Sequence, residues 1–274
     1  MSVEIKNNTT MNIPSNALRD IHPNAKIGSN VHIGPFTVIE EDVIIGNNCR
    51  IGSNVHIFNG ARIGDGVQIF PFASISATPQ SIKKEEEKAI LEIGNGTIIR
   101  EACTINRGNP AFGGRTSIGD NCLLMAYVHV AHDCHVSNNC VLANNVTLAG
   151  HIEVGKYATI GGLAAVHQFV RIGEQVMIGG GSLVRKDVPP YITAARDPLS
   201  YAGINSIGLR RRGFSVADMH HIEDIYRVLF VRGYSTRKAL DIIESELPQT
   251  DYSRQIVAFV RNARRCIMKG YGAK

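Results

Sequence analysis

Tryptophan is absent from this chain of 274 residues, and aromatic side chains make up only 6% of it. That leaves few rings on which bases could stack, so an RNA- or DNA-binding module is not expected. No apolar run approaches the ~20 residues that cross a bilayer, which argues against stable membrane insertion. The first 20 residues lack the apolar stretch and small-residue cleavage site of a secretory leader, and a cytoplasmic location is expected. None of the six cysteines forms a CxxC pair, which argues against a zinc ribbon. Charged residues are sparse as well, at 19%. Such a composition suits a repetitive aliphatic core better than an ordinary α/β enzyme.

What the chain does have is a six-residue repeat. Isoleucine stands at 21, 27, 33, 39, 45, 51, 57, 63, 69 and 75, and again at 93, 99 and 105. Aliphatic residues then continue the spacing from Ile118 through Leu124, Val130, Val136, Leu142, Leu148, Val154, Ile160, Val166, Ile172 and Ile178 to Val184. Glycine follows the aliphatic in many hexads, and the fourth residue after it is small or β-branched, as at Ala25, Val31, Thr37, Val43 and Ala61. Neither a helical period of 3.6 nor strict alternation gives this pattern. Short strands joined by tight turns do, with one large and one small residue pointing inward per hexad. Three hexads make a triangular coil, and coils stack at about 4.8 Å. Each buried aliphatic contributes roughly 1.5–3 kcal/mol gross, which, repeated coil after coil, offsets the ordering entropy of the chain. Cys49, Cys103, Cys122, Cys134 and Cys140 all fall at the small inward position. They read as reduced hydrophobic fillers rather than a disulfide framework; the sixth, Cys266, lies in the tail.

Two stretches break the repeat, residues 76–92 and 107–117, and the first carries Lys83 and Lys84. Beyond Pro189-Pro190 the periodicity becomes helical. Ser215 and Asp218 form a capping box ahead of one helix; a second is expected over 236–247 and a third over 251–268. The fold class is therefore mainly β: a parallel β-helix over residues 1–190, followed by an α-helical domain over 191–274. From Tyr191 onward there are 14 basic and 8 acidic residues, against 15 and 16 in the rest. The tail is thus suited to an anionic partner.

Wrapping the sequence on an 18-residue coil puts Ala131-His132-Asp133 beneath Ala149-Gly150-His151, which lies beneath His167-Gln168-Phe169. Three imidazoles, a carboxylate and a glycine then share one edge within about 10 Å. Asp133 next to His132 can raise its basicity and fix its tautomer, which favours catalysis over a solvated surface histidine. For His151 and His167, substrate positioning is favoured over proton transfer. His129, His132 and His135 have the spacing HxxHxxH, but residues six apart face different sides of the coil and cannot close on one ion. Only an ion shared between subunits would fit, so neither a metal nor a cofactor is expected.

The segments HVAHDCHVSNNCVLANNVTLAGH, GGLAAVHQF, DVPPY and GLRRRGF resemble those of the UDP-N-acetylglucosamine O-acyltransferase family, over nearly the whole chain. The [LIV]-G-x-x-[small]-x hexads resemble those of hexapeptide-repeat acyltransferases generally, and that likeness implies a left-handed β-helix. The family resemblance implies the first step of lipid A synthesis, with acyl carrier protein as donor, UDP-N-acetylglucosamine as acceptor, and a homotrimer with clefts between subunits. It makes His132 the general base, Asp133 its orienting partner and Gly150 the oxyanion donor. His129, His151, His167 and Gln168 would hold the substrates, Lys83 would assist from the first loop, and Asn205, Arg211 and Arg212 would contact the nucleotide or the carrier protein. Gly180 matches a position that limits acyl length, and its lack of a side chain implies a long 3-hydroxyacyl donor. Three residues depart from the family pattern: Ser81 for an aspartate, Asn106 for a histidine and Ile207 for a glutamate. The first leaves open whether the acceptor carries a 3-hydroxyl or a 3-amino group. Related N-acyltransferases and acetyl-CoA-dependent acetyltransferases are the competing classes, and a screen of acyl donors separates them.

Overall fold

The computed structural model describes residues 18–80 and 88–270. Most of its strands are two residues long, and as far as Ala165–Val166 each pairs in parallel with the strand three places further along the chain. Asp20–Ile21 lies beside Val38–Ile39, Lys26–Ile27 beside Ile44–Ile45, and His32–Ile33 beside Arg50–Ile51. Repetition of this step builds sheets of nine, eight and ten strands. They form the first, second and third faces of a triangular prism, a left-handed parallel β-helix with a helical C-terminal part.

The hexad explains this geometry residue by residue. The second residue of a strand points inward, and Ile39, Ile45, Ile51 and Ile57 are all buried. The small position closes the corner, where Val43, Cys49, Val55 and Ala61 are buried in turn. Burial pushes the Cys103 thiol up to about 11 and the Cys134 thiol up to about 12, so both stay protonated fillers. The third turn residue takes a positive φ, which Asn30, Asn48, Asn121 and Asn139 adopt at little cost.

Both interruptions leave the prism at one corner, between the first and second faces. One connects Ser74–Ala77 to Ile90–Ile93, the other Thr104–Asn106 to Arg115–Ile118. The second contains a short 3₁₀ turn, Pro110–Phe112, capped by the Asn109 side chain.

The third face continues past Pro190. Ile192–Ala195 adds in parallel to Met177–Ile178, and Ser200–Ile204 turns back antiparallel. Four α-helices follow: α1 (Ser206–Arg211), α2 (Val216–Tyr226), which runs on into a π-helical turn at Arg227–Val231, α3 (Thr236–Glu246) and α4 (Asp251–Arg261). The capping box of Ser215 and Asp218 opens α2 as its spacing predicts. Helix α1 has no counterpart in the sequence reading. Helix α4 is shorter than the expected run to Met268, because the chain beyond it is drawn back onto the solenoid as an extended strap. Fully buried Asp187 accepts the backbone N–H groups of Arg171 and Arg264, both at 2.9 Å. Its own N–H donates to the Cys266 carbonyl, and its carbonyl accepts from Met268. A helix continued through 264–268 could not make these bonds.

Candidate active site

The corner that releases both loops also carries the histidines. His129 precedes it on the first face, in register with Thr104 below and Thr147 above. His132 occupies the second turn position, and Asp133 the third, with φ +57°. The imidazole Nδ1 lies 2.7 Å from Asp133 Oδ2. With the proton on Nδ1 this bond is a donor bond to the carboxylate, and Nε2 is left with a free lone pair.

One coil higher stands Gly150. A side chain there would begin 2.8 Å from His132 Cε1 and 3.0 Å from Nε2, so the imidazole lies over a space that only glycine leaves open. The same turn place is Pro35 and Pro71 on another corner. The coil therefore needs no N–H donor there, and that of Gly150 is available to a substrate oxyanion.

His151 follows, φ +61°. Its ring stacks on Phe169 at 4.6 Å and meets the rings of Phe112 and His132 edge-on at 5.0 and 5.1 Å. Burial, opposed in part by the Asp133 charge, holds its pKa below the ordinary imidazole value. Among the described residues its Nε2 is buried without a hydrogen-bond partner. Burial likewise lowers the pKa of His129, whose Nδ1 lies 2.7 Å from Thr104 Oγ1. Higher on the same corner, exposed His167 leads into half-buried Gln168.

His132, Asp133 and His151 bring one ligand atom each to within 4.8 Å of one another. Two imidazoles and a carboxylate could hold a metal in principle. The carboxylate is already committed, however: Asn109 N–H lies 3.2 and 3.1 Å from its two oxygens, and His132 Nδ1 takes one of them. The HxxHxxH spacing does not gather its members, because His135 stands on the second face with Nδ1 2.9 Å from Ser117 Oγ.

The remaining candidates lie elsewhere on the chain. Asn205 caps α1 and donates from Nδ2 to the Gln175 carbonyl, while Arg212 reaches the Tyr157 carbonyl at 3.2 Å. Both therefore sit at the corner between the second and third faces, next to exposed Arg211. Gly180 belongs to the corner between the third and first faces, above Gly162. Lys83 and Ser81 lie outside the described residues. Of the other departures from the family pattern, Asn106 is buried and donates to the Thr78 carbonyl, and Ile207 is exposed.

Sequence reading missed Asn109, Thr116 and Phe112, all from the second interruption. Thr116 alone left a signal: it stands two residues before inward Ile118 in an extended segment, so it too points inward.

A family model described as "Udp N-acetylglucosamine O-acyltransferase; Domain 2" matches residues 187–268, and one described as "Bacterial transferase hexapeptide (six repeats)" matches 24–59 and 115–150. Acyl-[acyl-carrier-protein]–UDP-N-acetylglucosamine O-acyltransferase of Xanthomonas campestris pv. campestris is 42% identical over 91% of this chain and 95% of its own. The protein of that name from Paracidovorax citrulli is 47% identical over 82% of this chain and 86% of its own. Among solved structures, a UDP-N-acetylglucosamine acyltransferase from Bacteroides fragilis superposes with a TM-score of 0.90 at 47% identity, covering 92% of this chain and 98% of that one. The repeat, the histidine corner and these relatives agree, and the chain belongs to the acyl-[acyl-carrier-protein]–UDP-N-acetylglucosamine O-acyltransferase family.

Proposed function

We propose that this acyltransferase moves a 3-hydroxyacyl chain from acyl carrier protein to the 3-hydroxyl of UDP-N-acetylglucosamine, the first step of lipid A biosynthesis, with His132 as general base. The observation that carries the reading is the His132–Asp133 pair beneath Gly150. Neutral His132 Nε2 removes the proton of the sugar hydroxyl as its oxygen attacks the thioester carbon. The tetrahedral oxyanion takes the Gly150 N–H. Collapse breaks the C–S bond, and the imidazolium returns its proton to the departing thiolate of the carrier protein, leaving an ester and a free thiol. Asp133 stabilises the transient imidazolium and fixes the tautomer. His129, His151, His167 and Gln168 line the same corner and its approaches, and Lys83 would assist from the loop below.

A homotrimer accounts for the separation of the other candidates. Outward residues of the second face are largely charged and ion-paired: Arg62 with Asp42 of the adjoining turn, Arg115 with Glu92, and Glu153 with Arg171 and with Arg264 of the C-terminal strap. Those of the third face include Ile98, Leu123, Val141 and Met177. Along the edge between third and first faces, Phe36, Phe72, Tyr127 and Leu163 are exposed and hold positive φ values of 59–65°, a strained state for bulky residues. Turning that edge inward to a threefold axis covers it, and sets the first face of one copy against the third face of the next. The His132 corner then meets the Asn205–Arg211–Arg212 edge of its neighbour, while the Gly180 edge lies deep in the interface, where an acyl chain would run. The helical domain, taken as 191–274 against a β-helix of 1–190, would present basic groups to the carrier protein. Among the described residues no helix is long and apolar enough to cross a membrane; the reaction is assigned to the cytoplasm.

Incubation with carrier-protein thioesters of graded length and UDP-N-acetylglucosamine tests the reading. A mass equal to the sugar nucleotide plus one 3-hydroxyacyl group is expected, with long chains preferred. Acetyl transfer from acetyl-CoA instead would overturn it. Gly180→Met should shorten the preferred chain in the same assay.

A further inference from the structure

The loop over residues 107–114 takes a carbonyl away from the coil, and that loss exposes what holds Asp133. In regular turns the N–H of the third turn residue donates to the second turn residue of the coil below: Asn48 to Ser29, Asn121 to Asn95, Asn139 to Asp120, His151 to His132. For Asp133 that acceptor would be Arg107. The chain departs from the prism there, and the Thr116 hydroxyl takes its place, accepting the Asp133 N–H at 2.8 Å. Thr116 is fully buried. From the other side, Asn109 N–H reaches both carboxylate oxygens, at 3.2 and 3.1 Å, and the Asn109 side chain caps the short 3₁₀ turn that fixes this N–H. Asp133 is consequently only 5% exposed, whereas Asn48 and Asn139, at the same turn place, meet solvent.

We infer that Thr116 and Asn109 are positioning residues for the reaction: they clamp Asp133 so that its carboxylate meets His132 Nδ1 and leaves Nε2 free toward the acceptor. Both are buried, and both act through Asp133. The inference rests on His132 as general base. The titratable groups facing this clamp are His132 on the same turn, His151 on the next coil, His135 on the second face and Cys134 on the inward side.

Thr116→Val keeps the volume of the side chain and removes the acceptor. The expected result is a fall in kcat on the order of tenfold, with KM for the sugar nucleotide unchanged and a lowered thermal midpoint, since the buried Asp133 N–H loses its acceptor. Thr116→Ser, which restores the hydroxyl, should recover turnover. Asn109→Ala, which keeps the N–H but frees its cap, should show the same signature more weakly, and serves as the test if the valine variant does not fold. A wild-type kcat in Thr116→Val, a change confined to KM, or failure of serine to rescue would each overturn the inference. His132→Ala, alone and combined with Thr116→Val, separates the two claims. Full turnover in His132→Ala removes the general base itself. If His132→Ala is inactive while Thr116→Val turns over normally, the base stands and only the clamp is removed.

Discussion

Two corners of the prism share one backbone and differ in what they do with its donors. Between the second and third faces, Asn47, Asp65, Asn95, Asp120 and Asn138 each accept the N–H of the residue one coil below, from Ser29 N–H up to Asp120 N–H. Each of these donors is taken by a short side chain of the coil above. Between the first and second faces the corresponding column runs through Arg107, His132, Gly150 and Gln168. Here the residue above His132 has no side chain, and the imidazole fills its space. Where one corner sets short Asn and Asp acceptors, the other sets an imidazole and a glycine.

The largest expected effect breaks the functional corner outright. His132→Ala should lower kcat by ~10²-fold or more with the thermal midpoint unchanged, since a half-buried turn side chain is removed and no inward aliphatic is touched. Gly150→Ala comes next. Its methyl carbon must displace the ring atom 2.8 Å away, and steady-state kinetics should show kcat down by roughly tenfold to a hundredfold, with the fold intact by circular dichroism. On the inert corner the outcome should invert: Asn138→Ala removes the acceptor for Asp120 N–H and should cost about 1 kcal/mol of stability with kcat unchanged.

The smallest effect is a pH dependence of stability. His129 and His151 have folded pKa values lowered by burial, so the unfolded chain binds more protons than the folded one once the pH falls toward about 6.5. Their contribution is complete above that value and declines as pH drops through the unfolded pKa toward the folded ones. Thermal melts across this range should show the loss, and His151→Gln should reduce the slope.

The coil and its register were legible because each hexad states its own inward residues. Valine serves there as well as isoleucine does: Val130 still puts His129 outward and His132 on the turn. The stacking of His132, Gly150 and Gln168 followed from counting eighteen. What could not be counted were the contacts made across an interruption. Asn109 and Thr116 reach Asp133 only because the chain leaves the prism at Arg107 and returns at Arg115, and no periodicity records where such a loop folds back. The end of α4 was hidden for a related reason. Its helical pattern continues, but Asp187, 77 residues from Arg264, claims the backbone beyond it.

That claim has a consequence for the molecule as a whole. A stack of identical turns has no built-in length, since its last turn offers the same unpaired amides and carbonyls as any other and could recruit another chain. Asp187 and the returning segment occupy part of that open rung with the protein's own backbone. The tail therefore works as a stopper, and it lets a repetitive polymer end as a discrete catalyst.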